Sequence, residues 1–546
     1  MAGLYRRSEP TLGWTGPRQR YSYLEVKRAK ESPDRWRTGF PDYTVHTRGR
    51  WFDPYNQNVL KGDYPLIGNR TFLVVTGTSE TMIEGRNLPT PSNIPARRPG
   101  EFGVFGRPGQ RAFVQQFGLS INVFNGDTAF EPPLWQVRFT PVFNVDNTLG
   151  LEEVGNTVPD VRQGVERSRH AVGIQELFAE IRLGVLSPYF DFVSLRLGRQ
   201  PFLSDFRGFI FKDDNFGLRI FGNLGSNRSQ FNLVLFDMVE HETNSELLRS
   251  GAHDRSQCVF IANCFRQDAF DLPGYTAEIS FHRNIDRPSF KYDENGVLVR
   301  PDPVGLFKVH RVEADYLGWL GDGHIGPVNV SHSFYQVFGR DSHNPVAARA
   351  VNINAQQASL EASVDHDWLR YKASLFFASG DASPNDKTAR GFDAIIDSSN
   401  FAGGEFSFWG RQSPRLQGVN LKQRDSLIPD LRSSKLEGQS NFVNPGLRLW
   451  NVGVDAEVTP KLKLLVNLSG LSFDHTEPLE LFLFQTPIPR GIGLDFSLGA
   501  QYRPALNQNI VWNAGVAGLA PGPGFTAIYE TDRTLYQAFT ELRLQF

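Results

Sequence analysis

The sequence predicts an all-β fold, a transmembrane antiparallel β-barrel of 18 strands with long extracellular loops and short periplasmic turns. Amphipathic segments recur from Thr71 to the C-terminus. Each is about ten residues long, which is the length a tilted membrane strand needs. Aromatic residues make up 12% of the 546 residues, yet mean hydropathy is negative. A barrel with an apolar outer face, a polar lumen and polar loops has this composition.

The alternation of side chains supports strands rather than helices. In the segment 535–546, Tyr536 and Leu544 fall on one face while Gln537 and Arg543 fall on the other. A period of two residues is the period of a strand. The strands of a soluble β-sandwich average about five or six residues, so segments of this length favour a membrane barrel.

Seventeen segments show the pattern, and the loop lengths call for one more. Single-chain bacterial barrels have even strand numbers, and their short turns alternate with longer loops. The alternation fails between Val239 and Lys308, so we place the eighteenth strand there, near Phe290–Tyr292 or Val297–Arg300. The seventeen segments are 71–84, 114–126, 134–146, 175–186, 191–200, 215–222, 229–239, 275–283, 308–317, 326–339, 357–366, 369–379, 447–458, 462–473, 491–502, 509–519 and 535–546.

Two parts of the chain differ in character. Residues 1–70 are Arg-rich and lack alternation, and they predict a periplasmic or lumen-associated extension, with a disordered leader as the alternative. Residues 71–546 form the barrel. The segment 1–20 has no apolar core of a signal peptide, so we expect a mature or truncated form of an exported, outer-membrane protein.

Composition and motifs exclude several functions. The net charge of −2 argues against a nucleic-acid binder. The sequence has no His-Glu-x-x-His, Gly-x-Ser-x-Gly or P-loop motif, so we expect neither an enzyme nor a bound cofactor. The cysteines, Cys258 and Cys264, have five residues between them. Because exported proteins tend to pair close cysteines, we predict a disulfide within a loop, with two unrelated thiols as the alternative.

Two blocks of sequence resemble the alginate-export barrels and related porins. Val193–Asp237 contains a strand with Gly-Arg-Gln (198–200) followed by a strand bearing Arg219, and Ser374–Gly404 contains Ser-Gly-Asp (379–381), an Asp-bearing loop and a Gly-rich stretch. The resemblance covers under a fifth of the chain. It implies an 18-stranded barrel with a charged lumen, long extracellular loops and passage of an acidic polysaccharide. The N-terminal extension and the cysteine pair depart from that family.

The alternation also predicts which side chains face the lumen. Fixed charges in a pore select solutes by sign, and arginine suits carboxylates because its planar fork binds two oxygens. The alternative is that these charges pair across strands and hold the wall together. The longest loop is 381–446. We expect it either to fold inward and gate the pore or to remain a solvated loop. Its acidic half is a candidate calcium site. The predicted solute-binding residues are Arg138, Arg182, Arg196, Arg199, Arg219, Arg370 and Lys372.

The predicted function is an outer-membrane channel for export or diffusion of anionic saccharides or similar polar solutes. The alternative is a barrel that houses a partner protein, such as an electron-transfer or secretion component. Expected partners are outer-membrane lipid, an anionic polysaccharide or small polar solute, and the barrel assembly machinery through the C-terminal Phe546. A periplasmic protein bound through residues 1–70 is a further candidate.

Overall fold

The computed structural model describes residues 59–89, 109–126, 132–149, 166–250, 254–416 and 418–546. Eighteen antiparallel strands form one closed sheet, and a two-residue strand, Thr388–Ala389, adds to it in parallel. The barrel strands are β1 Thr71–Asn87, β2 Gly109–Asn125, β3 Trp135–Leu149, β4 Glu166–Ser187, β5 Asp191–Leu203, β6 Lys212–Leu224, β7 Ser229–Val239, β8 Asp254–Gln267, β9 Tyr275–Asp286, β10 Val312–Ile325, β11 Val328–Asn344, β12 Arg349–His366, β13 Leu369–Ala378, β14 Leu447–Thr459, β15 Leu462–Ser472, β16 Gly491–Tyr502, β17 Ile510–Pro521 and β18 Leu535–Gln545.

Each strand pairs with its neighbours in sequence, and β1 pairs with β18 to close the sheet, with Thr78 opposite Gln545. The predicted barrel and strand number are confirmed. The eighteenth strand lies between Val239 and Lys308, as predicted, but it is β8, and the two candidate segments within that window were wrong. The two candidate segments instead form a small separate hairpin, Lys291–Tyr292 with Leu298–Arg300, in the loop that precedes β10.

The wall separates an apolar outer face from a polar lumen. On β3, Trp135, Val137 and Phe139 are exposed on the outside, whereas Gln136 and Thr140 are buried on the inside. Exposed aromatic side chains mark both ends of the outer face, as in the aromatic girdles of outer-membrane barrels. Near the short turns these are Trp135, Tyr189, Trp368, Tyr371 and Tyr502, and near the long loops they are Phe113, Phe338, Trp450 and Tyr536.

Connections at the two ends of the barrel differ, as predicted. One end has tight turns such as Gly326–Pro327, and the other has longer loops, the longest between β13 and β14. In the described part of these loops lie three short α-helices: α1 Phe408–Arg411, α2 Glu477–Leu483 and α3 Pro523–Tyr529. Within the described residues, no helix is both long and apolar enough to cross a bilayer. The apolar belt and the turn asymmetry place the protein in the bacterial outer membrane, with its turns in the periplasm.

The start of the described chain lies at the seam of the barrel. Lys61 forms an isolated bridge with Val74 of β1, and its Nζ lies 4.4 Å from the centre of the Phe546 ring. The predicted extension falls mostly in residues 1–58, outside the described residues, so its role stays a prediction.

The predicted disulfide is wrong. Cys258 and Cys264 both lie on β8 and are not joined by a disulfide. Six residues along an extended strand span about 20 Å, whereas a disulfide needs Cα atoms about 4.4–6.8 Å apart. Their partners across the sheet are Ile285 and Ile279 of β9, so both thiols are on the outer face of the wall.

Candidate functional site

The loop 379–446 between β13 and β14 folds into the lumen. Its side chains Phe392, Phe408, Trp409 and Arg432 are among the largest fully buried side chains of the described chain. One contact with the wall is a helix cap, in which the Asp495 carboxylate of β16 accepts hydrogen bonds from Ser407 Oγ (2.6 Å) and from the Trp409 backbone N–H (2.7 Å). A carboxylate at the N-terminus of α1 satisfies backbone donors that lack a partner within the helix.

A second anchor on the same side is Glu84 of β1. Its carboxylate accepts from Arg411 Nε at 2.6 Å and from Gln412 Nε2 at 2.9 Å. Arg86, on the same strand, lies 3.0 Å from Glu84 Oε1, the oxygen that also accepts from Gln412. Glu84, Arg86 and Arg411 are all buried, so each charge depends on the others for stabilisation.

The loop also contacts the opposite part of the wall. Arg255 of β8 donates to the Leu436 and Gly438 carbonyls, and Gln439 donates to Asp286 of β9 at 3.0 Å. Contacts on both sides show that the loop crosses the lumen. This confirms that it folds inward, while gating stays a prediction.

The interior of this loop contains carboxyl groups around one guanidinium. Arg432 lies 3.5 Å from Asp393 and donates to the Lys435 carbonyl at 2.8 Å. Burial raises the pKa of Asp393, and Arg432 opposes the rise. Burial and the neighbouring Asp393 charge also raise the pKa of Asp430. The loop therefore packs best with some of these carboxyls protonated.

Three predicted residues form one arginine row on the lumen wall: Arg138 on β3, Arg196 on β5 and Arg219 on β6. Arg196 and Arg219 are direct partners across the sheet. The Arg196 guanidinium lies 4.3 Å from the centre of the Phe178 ring, and that of Arg219 lies 4.4 Å from the Phe221 ring. Guanidinium groups stack favourably on aromatic faces.

Acidic partners reduce the charge of the arginine row without cancelling it. Glu180 binds Arg196 with a closest distance of 2.6 Å, and Glu176 lies 3.4 Å from Arg138. Arg219 instead donates two hydrogen bonds, of 2.9 and 2.6 Å, to the neutral amide oxygen of Asn232. Within the arginine row, three guanidiniums are thus matched by the two carboxylates of Glu176 and Glu180.

The other predicted residues have mainly structural contacts. Arg370 pairs with Asp365 on the neighbouring strand at 2.5 Å, and Lys372 pairs with Asp455 at 2.6 Å. Arg182 donates to the Pro132 carbonyl at 3.3 Å. For Arg370 and Lys372 the structure agrees with the alternative that charges pair across strands.

The lumen assignment of Arg199 was wrong. Its partners across the sheet are Leu177 and Phe216, both exposed on the outer face. Paired residues of neighbouring strands point to the same face, so Arg199 points outward. Its guanidinium donates to the Ile174 carbonyl at 3.2 Å, where β4 carries an irregularity in its pairing with β3.

Sequence reasoning missed Arg207, which lies in the loop between β5 and β6 and reaches Glu361 across the lumen at 2.8 Å. Side chains in a loop do not alternate between two faces as those of a strand do, so alternation could not assign Arg207 to the lumen. A local signal does exist, because Asp205 precedes Gly208 in a pattern typical of side-chain-capped turns.

Among the residues that the structure describes, no group of three or more His, Cys, Asp or Glu side chains is arranged to hold a metal ion. The acidic half of the loop 379–446 is explained by its own contacts. Asp381 accepts from the Ser383 backbone N–H at 2.9 Å, and Asp386 pairs with Arg390 at 2.9 Å.

The fold and the lumen define an outer-membrane β-barrel whose interior is narrowed by one of its own loops. No family model and no curated protein matches the chain, so the alginate-export resemblance stays a prediction. Among solved structures, the chain is similar to Pseudomonas aeruginosa OccK5 (OpdH), at 12% identity over 86% of this chain and 98% of that chain, with a TM-score of 0.44. It is also similar to P. aeruginosa OpdK, solved with vanillate, at 12% identity over 86% and 98% with a TM-score of 0.46. A third is Acinetobacter baumannii OccAB3, at 10% identity over 87% and 99% with a TM-score of 0.46.

Proposed function

We propose that this protein is a channel that passes small polar anions, sugar acids among them, across the outer membrane. The observation that carries the proposal is the arginine row, in which three guanidiniums line one wall of the lumen against two carboxylates. Low-dielectric walls focus the field of such charges and raise the local concentration of anions.

The stacking of the arginines supports recognition of carboxylates. A guanidinium placed over a phenyl ring is restricted in its orientation, and a carboxylate can bind the guanidinium's edge of N–H donors with both oxygens. Arg219 fits this role best because its present acceptor, Asn232, is neutral. A carboxylate arriving there does not compete with another carboxylate bound directly to this guanidinium.

The inward loop favours small solutes. Anchors on opposite walls, at Glu84 and Arg255, hold the loop 379–446 across the lumen. A lumen narrowed in this way favours a monomeric sugar acid over a polysaccharide chain. It also counts against the alternative of a barrel that houses a folded partner, because the chain's own loop occupies that space.

Liposome swelling with matched solutes tests this proposal. Glucuronate and glucose have similar size and differ in charge, so a channel lined by the arginine row should admit glucuronate faster. A variant with Arg196→Gln and Arg219→Gln should lose this preference while still admitting glucose. Equal rates for the two solutes in the wild-type protein would refute the proposed selectivity.

A further inference from the structure

Arg207 is presented to the lumen by a turn that depends on Asp205. The buried Asp205 carboxylate accepts from the backbone N–H groups of Arg207 (2.8 Å), Gly208 (2.5 Å) and Phe209 (3.0 Å). The Tyr335 hydroxyl of β11 donates to it at 3.1 Å. Gly208 has a φ of +76°, which favours glycine. The turn therefore fixes the direction in which the Arg207 side chain leaves the loop.

The Arg207 guanidinium lies over one register row of the wall, formed by Asp322 of β10, Ser331 of β11 and Glu361 of β12. It donates to Ser331 Oγ at 3.0 Å and to Glu361 at 2.8 Å, and it lies 3.8 Å from Asp322. All three wall residues are close to the periplasmic ends of their strands. These ends are Ile325 in β10, Val328 in β11 and His366 in β12.

The three charged side chains remain accessible to water. The exposed fractions are 25% for Arg207, 26% for Asp322 and 15% for Glu361. A solute that passes this level of the lumen therefore meets their combined field. Two carboxylates face one guanidinium, so removal of Arg207 would double the negative charge of the group.

We propose that Arg207 is a selectivity-determining residue, which masks the acidic patch of Asp322 and Glu361 and lets anions pass the periplasmic end of the lumen. The inference rests on the proposed anion channel and extends it to a residue outside the arginine row. In this arrangement the arginine row attracts anions, and Arg207 removes a barrier to them further along the lumen. If Arg207 had only a structural role, its guanidinium would serve to hold the loop between β5 and β6 against the wall.

Reversal potentials in planar bilayers under a KCl gradient distinguish these roles. Arg207→Gln should lower the anion-to-cation permeability ratio by at least about twofold, and more strongly at low salt, because salt screens the unmasked carboxylates. Adding Asp322→Asn and Glu361→Gln to the same variant should restore the ratio, since the charge that Arg207 masks is then gone. A merely structural role predicts no such rescue.

Heat-modifiable gel migration checks that each variant forms a barrel, and Arg207→Lys serves as the variant that keeps the charge. An unchanged permeability ratio in Arg207→Gln, or failure of the triple variant to restore it, would overturn the inference alone. An absence of ion current in the wild-type protein would overturn the proposed channel itself.

Discussion

Neutralising Glu84 should release the inward loop while the barrel stays intact. The Glu84 carboxylate is buried between Arg411 of the loop, at 2.6 Å, and Arg86 of the wall, at 3.0 Å. Glu84→Gln keeps the shape and removes the charge, so both guanidiniums lose their carboxylate. Breaking a buried ion pair in this way costs about 3–5 kcal/mol. Since about 1.4 kcal/mol is a factor of ten, the equilibrium for loop docking should shift by about 100-fold or more.

Two assays report this shift. Single-channel recordings should show a larger conductance or frequent openings in Glu84→Gln, and limited proteolysis should cut within 379–446 faster than in the wild-type protein. Glu457→Gln is the matched control, because it removes a carboxylate that is largely exposed and lies 3.7 Å from Lys463. Unchanged conductance together with unchanged proteolysis in Glu84→Gln would refute the view that this anchor holds the loop.

Three further predictions concern charge, thiols and pH. Arg196→Gln with Arg219→Gln should shift the reversal potential toward cations, most strongly at low salt; an unchanged value would remove the arginine row from selectivity. Cys258 and Cys264 should both react with a membrane-permeant maleimide without reductant, as mass spectrometry would show; protection of both would argue for modification or pairing. Burial raises the pKa of Asp393, so its protonated form favours the packed loop, and that stability is lost as pH rises through the raised pKa. Protease cuts in 379–446 should increase as the pH rises from about 4, near the ordinary pKa of an aspartate, to the raised pKa of Asp393, about 7, and less in Asp393→Asn; equal increases would contradict this.

Alternation predicted the faces of the wall wherever the lumen is polar, as on β3 and β18. It failed on β8 for a physical reason. The lumen face of β8 includes Val259 and Ile261, which are fully buried because the inward loops cover that part of the wall. The middle of β8 is therefore apolar on both faces, although Arg255, Gln257 and Asn263 are polar residues of its lumen face. The period of two is lost there, so the segment was interpreted as a loop and its cysteines as a loop disulfide.

The candidate site could be predicted only in part. Alternation along a strand assigns each side chain to one face of the wall, but the partners of that side chain depend on the register between neighbouring strands. Glu180 lies opposite Arg196, a relation that sequence spacing does not contain. Arg199 is a different case: it lies three positions after Arg196, so alternation puts the two side chains on opposite faces, and the prediction that both line the lumen departed from that rule. For Arg207, the Asp205–Gly208 pattern indicates a turn, but the path of that loop through the lumen depends on contacts with distant strands.

Single-channel recording of the wild-type protein under a KCl gradient tests the central claim most directly. A lumen lined by the arginine row and narrowed by its own loop predicts discrete current steps with a preference for chloride over potassium. That preference should grow as the salt concentration falls, because fixed charges act over longer distances at low ionic strength. Barrels that insert correctly but carry no current, or that prefer potassium at every salt concentration, would contradict the account.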